Sequence, residues 1–273
     1  MRVHYDFCLN SKELLLFKIA TNPPTRPATG CIWVTNLQFK KSKYHIPEDT
    51  IELETEYLFP LVKGVQLGKF KHNYLGIVVP FPYNESNSRQ PLDRSRLART
   101  KLLDYYDKYE ELLRDQTEYN EKIRGSDAGE FYGMARVGPY SFAKYYVTFR
   151  DNTKWCAVVI SPIETAWGGK KRFLFQNHAV SMCEDIEGSF ISEDEAHYIC
   201  AILNAPIVEK YLLQSSDSRS FKIRPPVKIP KFDTTNEIQR RLSEVSKRAH
   251  SNPNRIDELR SEIEDHYLKM LKM

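Results

Sequence analysis

The sequence predicts an α+β fold: a mixed β-sheet, a long central helix and helices gathered at the C-terminal end. Three features predict it. Short β-branched and aromatic runs recur through residues 1–90 and again through 140–183, a strongly charged helical pattern lies between them, and apolar stripes at helical spacing begin after Ser192. The same pattern divides the chain into a β-rich part with the long helix (1–125), a central core (126–232) and a closing helical pair (233–273).

In the first part, Cys31-Ile32-Trp33-Val34 and Tyr74–Pro80 read as strands. Glu56–Val62 reads as a single helical turn leading into Gly64 and Gly68, and Pro80–Pro91, rich in Pro, Asn and Ser, as a surface loop. Asn22-Pro23-Pro24 resembles the N-P-P-aromatic motif with which amino-methyltransferases hold a flipped adenine. Here Thr25 stands in the aromatic position and no Gly-rich cofactor loop precedes it, so it reads as a Pro-rich loop. Asp93 to about Arg124 predicts the long helix, with Leu97, Leu103, Tyr106 and Leu113 recurring among charges, and Gly125-Ser126-Asp127 ends it.

The central stretch Phe131–Arg150 reads FYGMARVGPYSFAKYYVTFR. Gly138-Pro139 breaks regular structure, so Tyr140 begins a strand that turns at Asp151-Asn152-Thr153 and returns through KWCAVVIS as a hairpin. Side-chain alternation sets Phe142, Lys144, Tyr146 and Thr148 on one face and Ala143, Tyr145, Val147 and Phe149 on the other, leaving one face to pack and the other to meet a partner. Ala166–Arg172 reads as a Gly-flexible loop ending in three consecutive cations, followed by strand-like Phe173–Phe175 and Ala179–Cys183.

Ser192-Glu193-Asp194-Glu195 is a capping box, and Ala196, Ile199, Cys200 and Leu203 form the buried stripe of the helix it opens. That helix ends at Asn204, Pro206 opens a second, and the Pro-punctuated FKIRPPVKIPKF leads to two amphipathic helices through Ile238, Leu242 and Val245 and through Ile256, Leu259 and Ile263.

A chain of 273 residues, 41% hydrophobic and 28% charged, can bury a substantial core. It has no apolar run of membrane-spanning length and no signal-peptide pattern, so the expectation is a cytoplasmic protein without a membrane partner. Cys8, Cys31, Cys156, Cys183 and Cys200 are odd in number and lack a C-x-x-C pair, hence reduced core residues. The net charge is only +4, but Arg136–Arg172 holds seven Lys or Arg against two acids and Arg219–Lys231 holds five against none. That asymmetry suits a polyanionic partner.

Enzymatic constellations are missing from the sequence. No lysine follows an acid by two residues, the seven histidines lack metal-ligand spacing, with His197 reading as a surface or partly packed residue, and neither G-x-S-x-G nor G-x-x-x-x-G-K occurs.

Three segments in order, FYGMARVGPYSFAKYYVTFR, then LNAPIVEKYL after a capped helix, then VKIPKF, resemble the C-terminal target-recognition region of adenine-N6 DNA methyltransferases and of single-chain restriction–modification enzymes, the TaqI-like specificity domain. FPLVKGVQLGKF resembles the same family more loosely. Ala205 departs from its usual Ser, and Tyr146 stands where Lys is common.

The resemblance implies a mixed-sheet recognition domain that binds double-stranded DNA for a catalytic methyltransferase domain or subunit. Because the catalytic motifs are missing from this sequence, it implies no cofactor here, with S-adenosylmethionine belonging to that partner. Expected DNA contacts are Arg136, Lys144, Arg150, Lys170, Lys171, Arg172, Lys222 and Arg224, mainly to phosphate, with Tyr140 and Tyr145 at bases or sugars. The competing reading is a scaffold domain whose basic surface meets an acidic protein.

Overall fold

A computed structural model of the chain describes residues 1–4, 12–40, 44–115, 129–151, 154–176, 178–215 and 227–272. Two main sheets carry the α+β architecture. The first has six strands: β2 (Phe17–Ile19), entered from the short helix α1 (Lys12–Leu15), then β3 (Cys31–Asn36), β4 (Thr50–Glu54), β5 (Leu58–Lys63), β8 (Ile77–Pro80) and β13 (Leu174–Gln176), in the order β13-β5-β8-β2-β3-β4. Only β13 and β5 run parallel. The second sheet is antiparallel, in the order β1 (Arg2–His4), β14 (Ala179–Glu184), β9 (Tyr146–Arg150), β10 (Ala157–Ile160). Two small ladders join β6 (Leu67–Gly68) to β7 (Lys71–His72) and β11 (Ile163–Glu164) to β12 (Lys170–Lys171).

Strand pairing crosses the boundary expected between residues 125 and 126. β1 completes the central sheet by pairing with β14, Val3 opposite Met182, and β13 joins the N-terminal sheet with Leu174 opposite Leu61. The first ninety residues therefore share both sheets with strands from the second half of the chain.

Several local expectations shift, each for a physical reason. Glu56–Val62 is a helical turn only at Thr55–Tyr57; Leu58–Val62 is buried throughout because β5 lies inside its sheet, where an unbroken apolar run suits a strand. Within Pro80–Pro91, Phe81, Pro82 and Tyr83 are buried, Phe81 stacks on Tyr83, and Tyr83 Oη accepts from Met134 N at 2.6 Å, so only the tip is a surface loop.

The long helix begins at Lys101, not Asp93. Asp93 accepts from Arg96 N and Ser95 Oγ in a local turn, Arg99 is left-handed (φ 68°), and Thr100 Oγ1 caps the helix by accepting from Leu103 N. It runs as α2 (Lys101–Lys108) and resumes as α3 over 110–115; residues 116–124 lie outside the described residues.

Helices cover one face of the second sheet: α4 (Glu193–Asn204), α5 (Pro206–Ser215), α6 (Glu237–Ser251) and α7 (Ile256–Leu271). Ser192 Oγ accepts from Glu195 N at 3.1 Å, as the capping box requires, and Asn204 and Pro206 mark the helix junction. Val147 and Phe149 of β9 face this helical layer, whereas Tyr146 packs in a third cluster with Val62, Val158, Phe173 and Phe175.

The hairpin forms, with Ala157 opposite Phe149 and Ile160 opposite Tyr146. Its strand starts only at Tyr146, because Pro139–Phe142 closes a 3-10 turn with Ser141 N donating to Gly138 O. No face of β9 is left for a partner: Thr148 is fully buried, as are Tyr146, Val147 and Phe149, since the sheet lies between two packed layers.

β10 is an edge strand, and its outward groups are satisfied by elements other than a strand. Asn204, itself 0% exposed, donates from Nδ2 to Ala157 O (2.8 Å) and accepts at Oδ1 from Ala157 N (3.1 Å). Phe70 N donates to the same carbonyl at 3.0 Å, and Val159 N donates to His250 Nε2 at 3.0 Å. His250 must then be neutral, with its proton on Nδ1 donated to Ser246 O at 2.7 Å. His197 is buried rather than at the surface, 3.1 Å from Ser246 Oγ and edge-on to His250 at 4.7 Å, because the whole of Ala196–Asn204 sits under α6 and the sheet. Of the cysteines, Cys156, Cys183 and Cys200 are buried and free, Cys31 is half-buried and free, and Cys8 lies outside the described residues.

Replacing Asn204 with Leu orphans Ala157 N and leaves Ala157 O with Phe70 N as its donor, and a urea-unfolding series is expected to show a loss of about 1–3 kcal/mol.

Burial lowers the pKa of His250 to about 4 and of His197 to about 3, from an ordinary 6.5. Both folded values lie below the unfolded one, so their contribution is complete above about pH 6.5 and declines as pH falls towards about 4, where the unfolded chain takes up protons that the folded chain refuses. The urea midpoint should therefore drop across that window, and the His250→Leu variant should drop less steeply from a lower starting point.

Candidate nucleic-acid interface

The predicted contact residues separate into three groups by what their side chains touch. The first lies around the start of β9. Tyr140 is half-buried, stacks on His4 at 3.9 Å with an interplanar angle of 11°, and accepts at its carbonyl from Tyr146 Oη at 3.0 Å. His4 in turn bonds Glu184 at 3.0 Å, and burial holds its pKa below the ordinary range. Lys144 is exposed with Nζ 5.1 Å from the Tyr145 ring, and half-buried Tyr145 donates to Glu193 Oε2 at 3.1 Å. Arg136 is half-buried on a left-handed backbone (φ 61°), a conformation uncommon for a residue with a Cβ.

The second group is Lys170-Lys171-Arg172. These residues are not the end of a loose loop: Lys170 and Lys171 form β12, and Glu164 of β11 lies 3.9 Å from Lys170 across the ladder. Only Lys170 is exposed. Lys171 donates from Nζ to Glu56 O at 2.7 Å and sits 4.4 Å from the Phe59 ring; the Arg172 guanidinium lies 4.3 Å from Phe142 and 5.1 Å from Phe59. Lys170 is left to solvent, whereas Lys171 and Arg172 both lie against Phe59 of β5 and Arg172 also against Phe142 of the turn before β9.

Burial lowers the pKa of both, and for Lys171 the neighbouring Arg172 charge adds to the effect. Among the described residues neither has a carboxylate within ion-pair distance, and Arg172 Nε is buried without an acceptor.

The third group gathers at the far end of β9. Arg150 lines a cavity with Lys69, Lys71 and Lys154, and the buried Cys156 also lines it. Sequence reasoning missed Lys69 and Lys71. The available signal was the two lysines flanking Phe70, but nothing local says that this turn meets the end of β9. Lys222 and Arg224 lie outside the described residues.

No family model matches the chain, and no curated protein matches it. Among the described residues no helix is long and apolar enough to cross a membrane.

Arg172 and Lys170 should part company on substitution. Arg172→Ala removes a guanidinium packed on two rings and is expected to lower the thermal midpoint by the equivalent of about 1–2 kcal/mol, whereas Lys170→Gln should stay within about 0.5 kcal/mol of the parent.

Proposed function

We propose that this chain binds double-stranded DNA and serves as the target-recognition part of an adenine-N6 DNA methyltransferase or restriction–modification enzyme. Methyl transfer, and the S-adenosylmethionine it consumes, would belong to a catalytic domain or subunit acting on the flipped base. A cytoplasmic location goes with that reading.

The observation that carries the proposal is the pair Lys171 and Arg172, held partly out of water with no acid paired to them among the described residues. Both cations lose hydration, Glu56 and Glu85 act on them only from beyond ion-pair distance, and an arriving phosphate supplies a close opposite charge. Exposed Lys144 and Lys170 add long-range attraction nearby on the sequence's basic segments. Arg150 closes β9 four residues beyond Tyr146, about 13 Å away for an extended strand, so cations stand at both ends of this buried strand. The order of the three family-like segments supports DNA rather than an acidic protein as the polyanion.

Selection from randomised duplexes by the purified chain at about 0.1–0.15 M salt tests this. Enrichment of a short motif is the expected result. Binding of an acidic protein with no affinity for any duplex would favour the scaffold reading instead. Lys144→Gln and Lys170→Gln should each weaken all duplexes about equally and reduce the salt slope by about one.

A further inference from the structure

We propose that the cavity at the end of β9, walled by Lys69, Lys71, Arg150 and Lys154, is a binding site for a phosphate group. It has a volume of about 250 Å³, and the buried Cys156 and Ile256 of α7 also line it. The site stands on this cavity and is independent of the DNA reading.

The chain builds the site by pinning a turn. β6 and β7 are joined by Lys69-Phe70 alone, with Gly68 opposite Lys71. Phe70 adopts φ 56°, costly for an aromatic residue, yet it is 1% exposed, its ring lies 5.5 Å from His250, and its N–H is tied to the β10 edge. Driving Phe70 into the helical layer leaves the lysines on either side of it at the cavity. A Cβ on Gly68 would stand 3.2 Å from Lys71 Cγ, so glycine lets the Lys71 stem lie close along the turn.

The opposite wall comes from the hairpin, where β9 ends at Arg150 and the return towards β10 brings Lys154. Both hairpins are anchored on Ala157, through Phe70 N and through the strand itself, so the two walls are fixed relative to each other.

Positive side chains dominate the lining of the cavity. Glu209 holds Lys69 at 2.6 and 2.7 Å, but the same carboxylate also bonds Arg260, so one acid is shared by two cations. Lys71 and Lys154 are exposed at the rim. Burial pushes the Cys156 thiol up to about 11, while Arg150, Lys69 and Lys154 each pull it down, which places three positive charges around one buried sulfur.

Four cations converging on a space of this size match a group with two negative charges and several acceptor oxygens. Lysines supply point charges and arginine a planar fork, the combination that suits phosphate. The phosphate can come from a nucleic-acid strand or from a free phosphate or pyrophosphate, and the two sources are separable.

The test titrates the full chain at low salt with pyrophosphate, inorganic phosphate and a short duplex, following heat release and thermal midpoint. Lys71→Gln with Lys154→Gln, both at exposed positions, is compared with the parent and with Lys170→Gln as a control cation. Saturable pyrophosphate or phosphate binding that weakens about tenfold or more in the double variant, but not in the control, supports a site for free phosphate. Failure of the free anions to bind, with duplex affinity lost in the folded double variant beyond the loss in the control, supports a strand phosphate as the occupant.

Free-anion binding of equal strength in parent and double variant would overturn the proposal. So would no free-anion binding up to about 5 mM together with an unchanged duplex affinity. Pyrophosphate binding without any duplex binding would sink the DNA reading and leave the pocket standing.

Discussion

The open edge of β10 is the constraint on which the rest of the molecule depends. A buried edge strand with unpaired backbone groups is costly, and adding another strand is the ordinary remedy. Here the remedy is assembled from unrelated parts: the Asn204 amide imitates a strand at Ala157, Phe70 contributes a backbone N–H, and His250 accepts from Val159. Trp155 Nε1 donates to Leu203 O at 2.7 Å, and Arg260 Nε donates to Asn204 O at 3.0 Å. The end of α4 is thereby locked between the sheet and α7. Those few bonds orient the helical layer, position the Lys69-Phe70 turn and set a neutral histidine in the core.

Because both faces of the second sheet are buried, chemistry is displaced to the ends of its strands. The start of β9 carries Tyr140, Lys144 and Tyr145, with Arg172 close enough to feel the Tyr146 hydroxyl; its end carries Arg150 and Lys154. A hairpin face would have offered a flat surface. Strand ends offer separated clusters of cations held by a packed core, an arrangement that fixes the distances between them.

The cations also illustrate how charge and packing compete. Lys170, Lys171 and Arg172 are equivalent as text, yet one is solvated and two are laid against Phe59 and Phe142. Their stems contribute to the aromatic core, so their removal acts on stability. His197 follows the same logic: an uncharged ring suits the apolar interior between α4 and α6, and the burial that accommodates it also ties stability to pH.

What the sequence determined by itself is local. The Ser192 cap, the Asn204–Pro206 junction, the apolar stripes of α6 and α7, and the hairpin with its return strand are all readable because caps, breakers and periodicity act within a few residues. Of the candidate sites, the sequence marked Arg150 and the exposed Lys144 and Lys170 as basic, but not what surrounds them. Tertiary structure alone decided that β1 closes the central sheet, that β13 runs parallel to β5, that β9 is buried on both faces, and that Lys69 and Lys71 meet Arg150. These outcomes come from pairing and packing between segments more than a hundred residues apart or from opposite hairpins, and no window of sequence contains both partners.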